Sequence, residues 1–168
     1  MKKTLLLTVI LLFSLVSLIG CKDKKVESNE HFGYTLDHIK KELKIDSFDF
    51  QSNFPEQLIY SNENGDAFCF FTSHPEKYEY IDYIVIDAAT SEDLFSYLEQ
   101  ANQVLDLYSE SDSKQLLALC NTDIHGAPIS ASLPTLFGTE DVNHAKYEFL
   151  YLFNDNLNKY IYRLRIFA

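Results

Sequence analysis

The chain carries none of the short motifs that announce a chemistry by spacing alone. It has no HExxH helix to hold zinc, no GxSxG elbow to expose a serine nucleophile, no CxxC pair for redox work and no calcium loop of the Asp/Asn, Gly, Glu type. Tryptophan is absent, and the one methionine is the first residue. Cations are scarce as well: 14 Lys plus Arg stand against 25 Asp plus Glu, a formal charge of −11. Such a surface repels phosphate backbones and anionic headgroups, which excludes a nucleic-acid partner held by charge. Nor does any apolar run reach the ~20 residues that a permanent membrane helix needs. The longest, Leu5 to Ile19, spans 15 positions and is interrupted only by Thr8, Ser14 and Ser17.

What the chain does have begins with that run. Lys2 and Lys3 precede it and the polar stretch KDKKVESNEHFG follows at 22–33, the layout of an export signal rather than of a fold element. The tetrapeptide LIGC at 18–21 resembles the lipobox of bacterial lipoproteins: branched Leu18, then Ile19, then small Gly20, ahead of Cys21. The resemblance implies cleavage between Gly20 and Cys21 and a thioether-linked diacylglycerol on Cys21, so that membrane lipid is the first partner. Two or more acyl chains give durable attachment, since each buried methylene contributes about 0.8 kcal/mol. The implied address is the bacterial cell envelope. Because Lys22 follows the cysteine and Asp23 comes one place later, the outer membrane is favoured over the inner one in a two-membrane envelope.

Loss of residues 1–20 leaves 148, enough for one domain with a real core, and a formal charge of −13. Residues 21–33 read as a lipidated cysteine and polar tether, and 34–168 as a single α+β domain. The segment TLDHIKKEL at 35–43 places Leu36, Ile39 and Leu43 on one side of a short helix capped by Thr35. Strands are expected at 57–60 and 67–72, joined at SNENGD through left-handed Asn64 and Gly65, and at 78–86. A longer helix from Ser91 to Tyr108 aligns Leu94, Leu98, Ala101, Leu105 and Tyr108, and Lys114 to Cys120 reads as a shorter helix behind a Ser113 cap, with an extended piece as the alternative because LLAL lacks a decisive period. After an irregular stretch from Asn121 to Ala145, a final hairpin pairs 146–153 with 159–167. These elements predict an antiparallel sheet of about five strands with two or three helices packed on one face. The 23 Phe and Tyr of the exported chain suit such a core and do not by themselves indicate carbohydrate or haem binding.

Beyond the lipidated cysteine, Cys69 and Cys120 remain, and two thiols in an oxidising compartment are expected to pair, closing a loop worth ~2–4 kcal/mol. Separate buried thiols are the other reading. No metal or cofactor is expected: Cys120, Asp123 and His125 offer ligand atoms without a recognised spacing. Glu92 and Asp93 are adjacent acids at a helix start, not a glycosidase couple. The candidate recognition surface is the stretch from Asp123 to His144, with Asp123, His125, Ser132 and His144 as its polar groups. There Gly126, Pro128, Pro134 and Gly138 shape turns among Ile124, Ile129, Leu133, Leu136 and Phe137. Function is therefore expected to be that of a non-catalytic binding or structural module with an envelope protein partner. The alternative is a small envelope hydrolase assembled from distant residues such as Ser130 or Ser132, Asp141 and His144.

Overall fold

The computed structural model describes residues 31–44, 48–54, 56–72, 80–124 and 135–168. Helix α1 (Leu36–Glu42) is followed by strands β1 (Asp49–Phe54), β2 (Gln57–Ser61), β3 (Ala67–Phe71) and β4 (Tyr83–Ala88). Helices α2 (Ser91–Leu105) and α3 (Ser113–Cys120) come next, then β5 (Thr135–Val142), β6 (Ala145–Asn154) and β7 (Lys159–Phe167). The strands form one open antiparallel sheet in the order β1-β2-β3-β4-β7-β6-β5. Two meanders are thus fused where β4 pairs with β7, and the α2–α3 pair carries the chain from β4 to the far edge.

The class is as expected, but the sheet has seven strands among the described residues where about five were predicted. Both additions, β1 and β5, lie at the edges. An edge strand has one ladder partner and less apolar burial, so its alternation is diluted by polar residues such as Asp49, Gln51, Thr139 and Asp141. β5 also holds a bulge between Leu136 and Gly138. A side chain on Gly138 would bring its Cβ to 2.7 Å from Leu119 Cδ1, so glycine there lets α3 pack against the strand.

The local chemistry explains where the helices start and stop. Thr35 and Thr90 cap α1 and α2, each hydroxyl accepting from the backbone N–H three residues on. α2 ends at Leu105, earlier than its apolar stripe suggests, because Asp106 turns left-handed at φ 51°. Tyr108 stays buried nonetheless, clamped by Asn102, whose amide donates to its carbonyl at 3.1 Å and accepts from its N–H at 2.8 Å. α3 is preceded by Asp112, which makes no side-chain cap; the Ser113 hydroxyl expected there donates instead to the Glu110 carbonyl. In the β2–β3 turn Gly65 alone is left-handed, its N–H donating to Asn62 O at 3.0 Å, so Asn64 does not share that role.

The two sheet faces differ. Leu58, Phe68, Phe70, Ile84, Ile86, Phe149, Leu164 and Ile166 point to one side and form one core with Leu36 and Ile39 of α1, Leu94, Leu98 and Leu105 of α2, and Leu116 and Leu119 of α3. Each fully buried leucine contributes roughly 1.5–3 kcal/mol. The opposite face carries Phe71, Tyr83 and Phe167 as adjacent rungs, then Cys69, Val85, Arg165 and Glu148, then Ala67, Asp87, Arg163 and Leu150. None of these residues belongs to the helix-side core.

Asp66 ties the hairpin to α2. Its buried carboxylate accepts from Ala89 N–H at 2.8 Å, the Asn62 amide at 2.9 Å and the Tyr97 hydroxyl at 3.0 Å. The Tyr97 phenol is pushed up to about 12 by burial and by that carboxylate.

Candidate functional site

The expected disulfide is not formed: Cys69 and Cys120 are free. Cys69 lies at the centre of β3 between Phe68 and Phe70, whose rings face the core, so its sulfur is on the other face. Cys120 ends α3 inside the helix-side core. The sheet stands between the two, and no side-chain rotation bridges it. Burial pushes the Cys69 thiol up to about 11, reinforced by Asp87, and the Cys120 thiol up to about 12. Both are neutral, unreactive thiols near pH 7.

Cys21, His125 and Ser132 lie outside the described residues, as does Ser130. Asp123 is exposed just beyond α3, and His144 is exposed in the two-residue turn between β5 and β6, where Asn143 and His144 have φ of 51° and 66°. α3 runs beside β5, with the Gln115 amide hydrogen-bonded to the Glu140 carboxylate near one end and Leu119 against Gly138 near the other. Asp123 and His144 therefore sit toward opposite ends of β5 rather than in one patch. Among the described residues no group of three or more His, Cys, Asp or Glu can hold a metal ion. No described helix is long and apolar enough to cross a membrane.

A cleft that the sequence reading did not single out lies at the start of the domain. Residues 32–35 run antiparallel beside 80–81: Phe32 N–H donates to Ile81 O at 2.8 Å, Ile81 N–H to Tyr34 O at 2.8 Å, and Thr35 bridges Tyr80. Gly33, at φ 79°, turns the chain here, and its N–H donates to His31 Nδ1 at 3.1 Å. A neutral His31 thus carries its proton on Nε2. The His31 ring stacks on Tyr80 at 4.5 Å, and the His38 ring stacks on Tyr34 at 4.8 Å. Together Gly33, Tyr34, Thr35, Asp37, His38, Lys41 and Tyr80 line a cleft of about 320 Å³.

The cleft is lined by stacked rings, the Asp37 carboxylate and the Lys41 ammonium, which pairs with Glu42 at 3.2 Å. Burial, with the Asp106 charge, raises the Tyr34 phenol, so its hydroxyl stays protonated as a donor. The Thr35 hydroxyl is committed to the helix cap. Such a surface suits a planar or peptide ligand carrying both donors and acceptors. One signal for it was present in the sequence: Tyr34 and His38 are four residues apart at a helix start, the spacing at which side chains meet. The contribution of Tyr80 depended on long-range pairing. Comparison with protein-family models, with curated proteins and with solved structures finds no match to this chain.

Proposed function

We propose that the chain is an envelope lipoprotein whose domain, held to the membrane by lipid on Cys21, acts as a non-catalytic binding module for a protein partner. The observation that carries the binding role is the cleft of Tyr34, His38 and Tyr80, where stacked rings form a preformed wall and the adjacent threonine and histidine groups serve its architecture. The formal charge of −13 for the exported chain favours a partner with a basic surface. Recognition through the polar groups expected from sequence, Asp123, His125 and Ser132, is the second reading, to be tested beside the first.

Partner capture by crosslinking in intact cells tests this reading. A Tyr34→Ala, His38→Ala variant should lose the crosslinked partner while keeping its secondary structure. A parallel Asp123→Ala, His125→Ala, Ser132→Ala variant reports on the second reading. Full capture by both well-folded variants would remove both readings from the proposal. Mass spectrometry of membrane-extracted protein should show an acylated N-terminus at Cys21, and an unmodified mature form beginning elsewhere would end the lipoprotein reading.

A further inference from the structure

We infer that the aromatic end of the sheet face turned away from the helices, at Phe71, Tyr83 and Phe167, rests on the bilayer that holds the anchor, while Leu150 and Ile161 farther along that face are already buried; this rests on the lipoprotein reading above. The three rings are consecutive rungs, 5.3 Å apart between Phe71 and Tyr83 and 4.8 Å between Tyr83 and Phe167. All three are half-buried, and none belongs to the helix-side core. Across three strands they make an aromatic strip about 10 Å wide. Tyr83 has the apolar body and polar tip that favour the interfacial layer of a bilayer, and the two phenylalanines beside it add apolar contact area.

The position of the strip relative to the anchor selects a bilayer over other occupants. Described structure begins at His31, and Phe32 is hydrogen-bonded to Ile81, two residues before Tyr83. Asp82 joins the same end, donating to Phe71 O and accepting from Ala168 N–H. The tether thus enters at the aromatic end of the sheet. Nine residues, ten Cα–Cα steps, separate His31 from Cys21, a reach of at most about 35 Å when extended and about 18 Å as a flexible coil. The turns joining β2 to β3 and β6 to β7 lie toward the opposite end, where Lys159 Nζ donates to Asn64 O at 2.7 Å.

Charge agrees with this orientation. An acidic chain is repelled by anionic headgroups, but here the acids are matched: Asp87 is held by Arg163 at 2.6 Å, and Glu148 by Lys146 at 2.5 Å and Arg165 at 2.7 Å. Both arginines of the chain are on this face, with Asp141 opposite Lys146 at its margin. The Arg165 guanidinium lies 5.9 Å from the Phe167 ring and stays on Glu148, so it brings no uncompensated charge to the aromatic strip.

The absence of tryptophan makes a direct test available. Phe167→Trp, Tyr83→Trp and, on the helix side, Leu117→Trp would each be introduced into the full chain, processed in cells, and reconstituted in phosphatidylcholine vesicles with and without brominated acyl chains. Thermal midpoints near wild type qualify each variant. At least a twofold loss of emission at position 167 or 83, with little loss at 117, is the expected result. Vesicle flotation without quenching at either position overturns the contact while leaving the anchor standing. Absence of flotation overturns both. Unquenched emission together with a crosslinked pair of copies assigns the face to self-association and overturns the bilayer contact.

Discussion

The bidentate pair of Asp87 and Arg163 gives the most discriminating test of how the outer sheet face is held together. Arg163 Nε and a terminal nitrogen donate to the two oxygens of Asp87 at 2.6 and 2.7 Å, across the β4–β7 junction that fuses the two meanders. The partners are buried unequally: the Asp87 side chain is 8% exposed and that of Arg163 31%. Arg163→Met therefore strands a carboxylate away from water and should cost ~3 kcal/mol, the low end for breaking a buried pair. Asp87→Val leaves a guanidinium that can turn its head to solvent and should cost ~1–2 kcal/mol. The double variant replaces both charges with apolar groups and should be more stable than Arg163→Met alone.

At roughly 3 °C per kcal/mol for a domain of this size, Arg163→Met should lower Tm by about 9 °C. Urea unfolding followed by far-UV circular dichroism gives the three free energies, and the double-mutant cycle isolates the pair. A cost for Asp87→Val equal to or above that of Arg163→Met would refute the reasoning from unequal burial. So would a double variant less stable than either single one.

Further expectations concern the thiols, acid stability and the Asp66 junction. Under denaturing conditions without reductant, both Cys69 and Cys120 should label completely, while in the native state at pH 7.5 neither should react quickly, because burial holds them as thiols; resistance to labelling until reductant is added would contradict the sheet's separation of the two. The Glu148 carboxyl is held below its ordinary range, first by its hydrogen bond from Lys146 and then by the Arg165 charge. Its stabilising contribution is complete above its unfolded pKa of about 4.3 and is lost as pH falls through the lower folded value, so Glu148→Gln should cost more stability at pH 7 than at pH 3, and an equal cost at both would refute the linkage. Asp66→Ala strips three donors of their acceptor and should cost ~2–3 kcal/mol by urea titration, with Tyr97→Phe costing less; near-neutral behaviour of Asp66→Ala would show that water replaces the carboxylate.

The central elements were legible because their burial is one-sided and regular. Ser91 to Leu105 repeats apolar residues at helical spacing, and the residues expected on its buried stripe, Leu94, Leu98, Ala101 and Leu105, are the ones in the core. Residues 159–167 alternate as expected over most of their length, although Ile161, on the face turned from the helices, is buried as well. Strand β4 begins at Tyr83 rather than Tyr78, and 73–79 lie outside the described residues. The edge strands were missed for the opposite reason: with a single ladder partner, their sequences need not alternate cleanly. In β5 the Asn143–His144 turn was a usable signal, since both residues are left-handed and asparagine tolerates that region well.

The cysteines show how a sequence argument can have the right facts and lack the decisive one. Two thiols expected in an oxidising compartment favour pairing on compartment alone. Yet FCFF at 68–71 already places Cys69 opposite Phe68 and Phe70, because successive strand residues point to opposite faces. Cys120 follows Leu116 and Leu119 at spacings of four and one, which puts it on the buried side of an amphipathic helix. If all helices cover the face that buries Phe68 and Phe70, the two sulfurs are separated by the thickness of the sheet, and that single topological condition decides against the bridge. The same condition leaves Phe71, Tyr83 and Phe167 together on the other face, as well as Asp87 and Arg163, which are 76 residues apart in sequence. Strand register assembles both sets, and register is what local periodicity cannot supply.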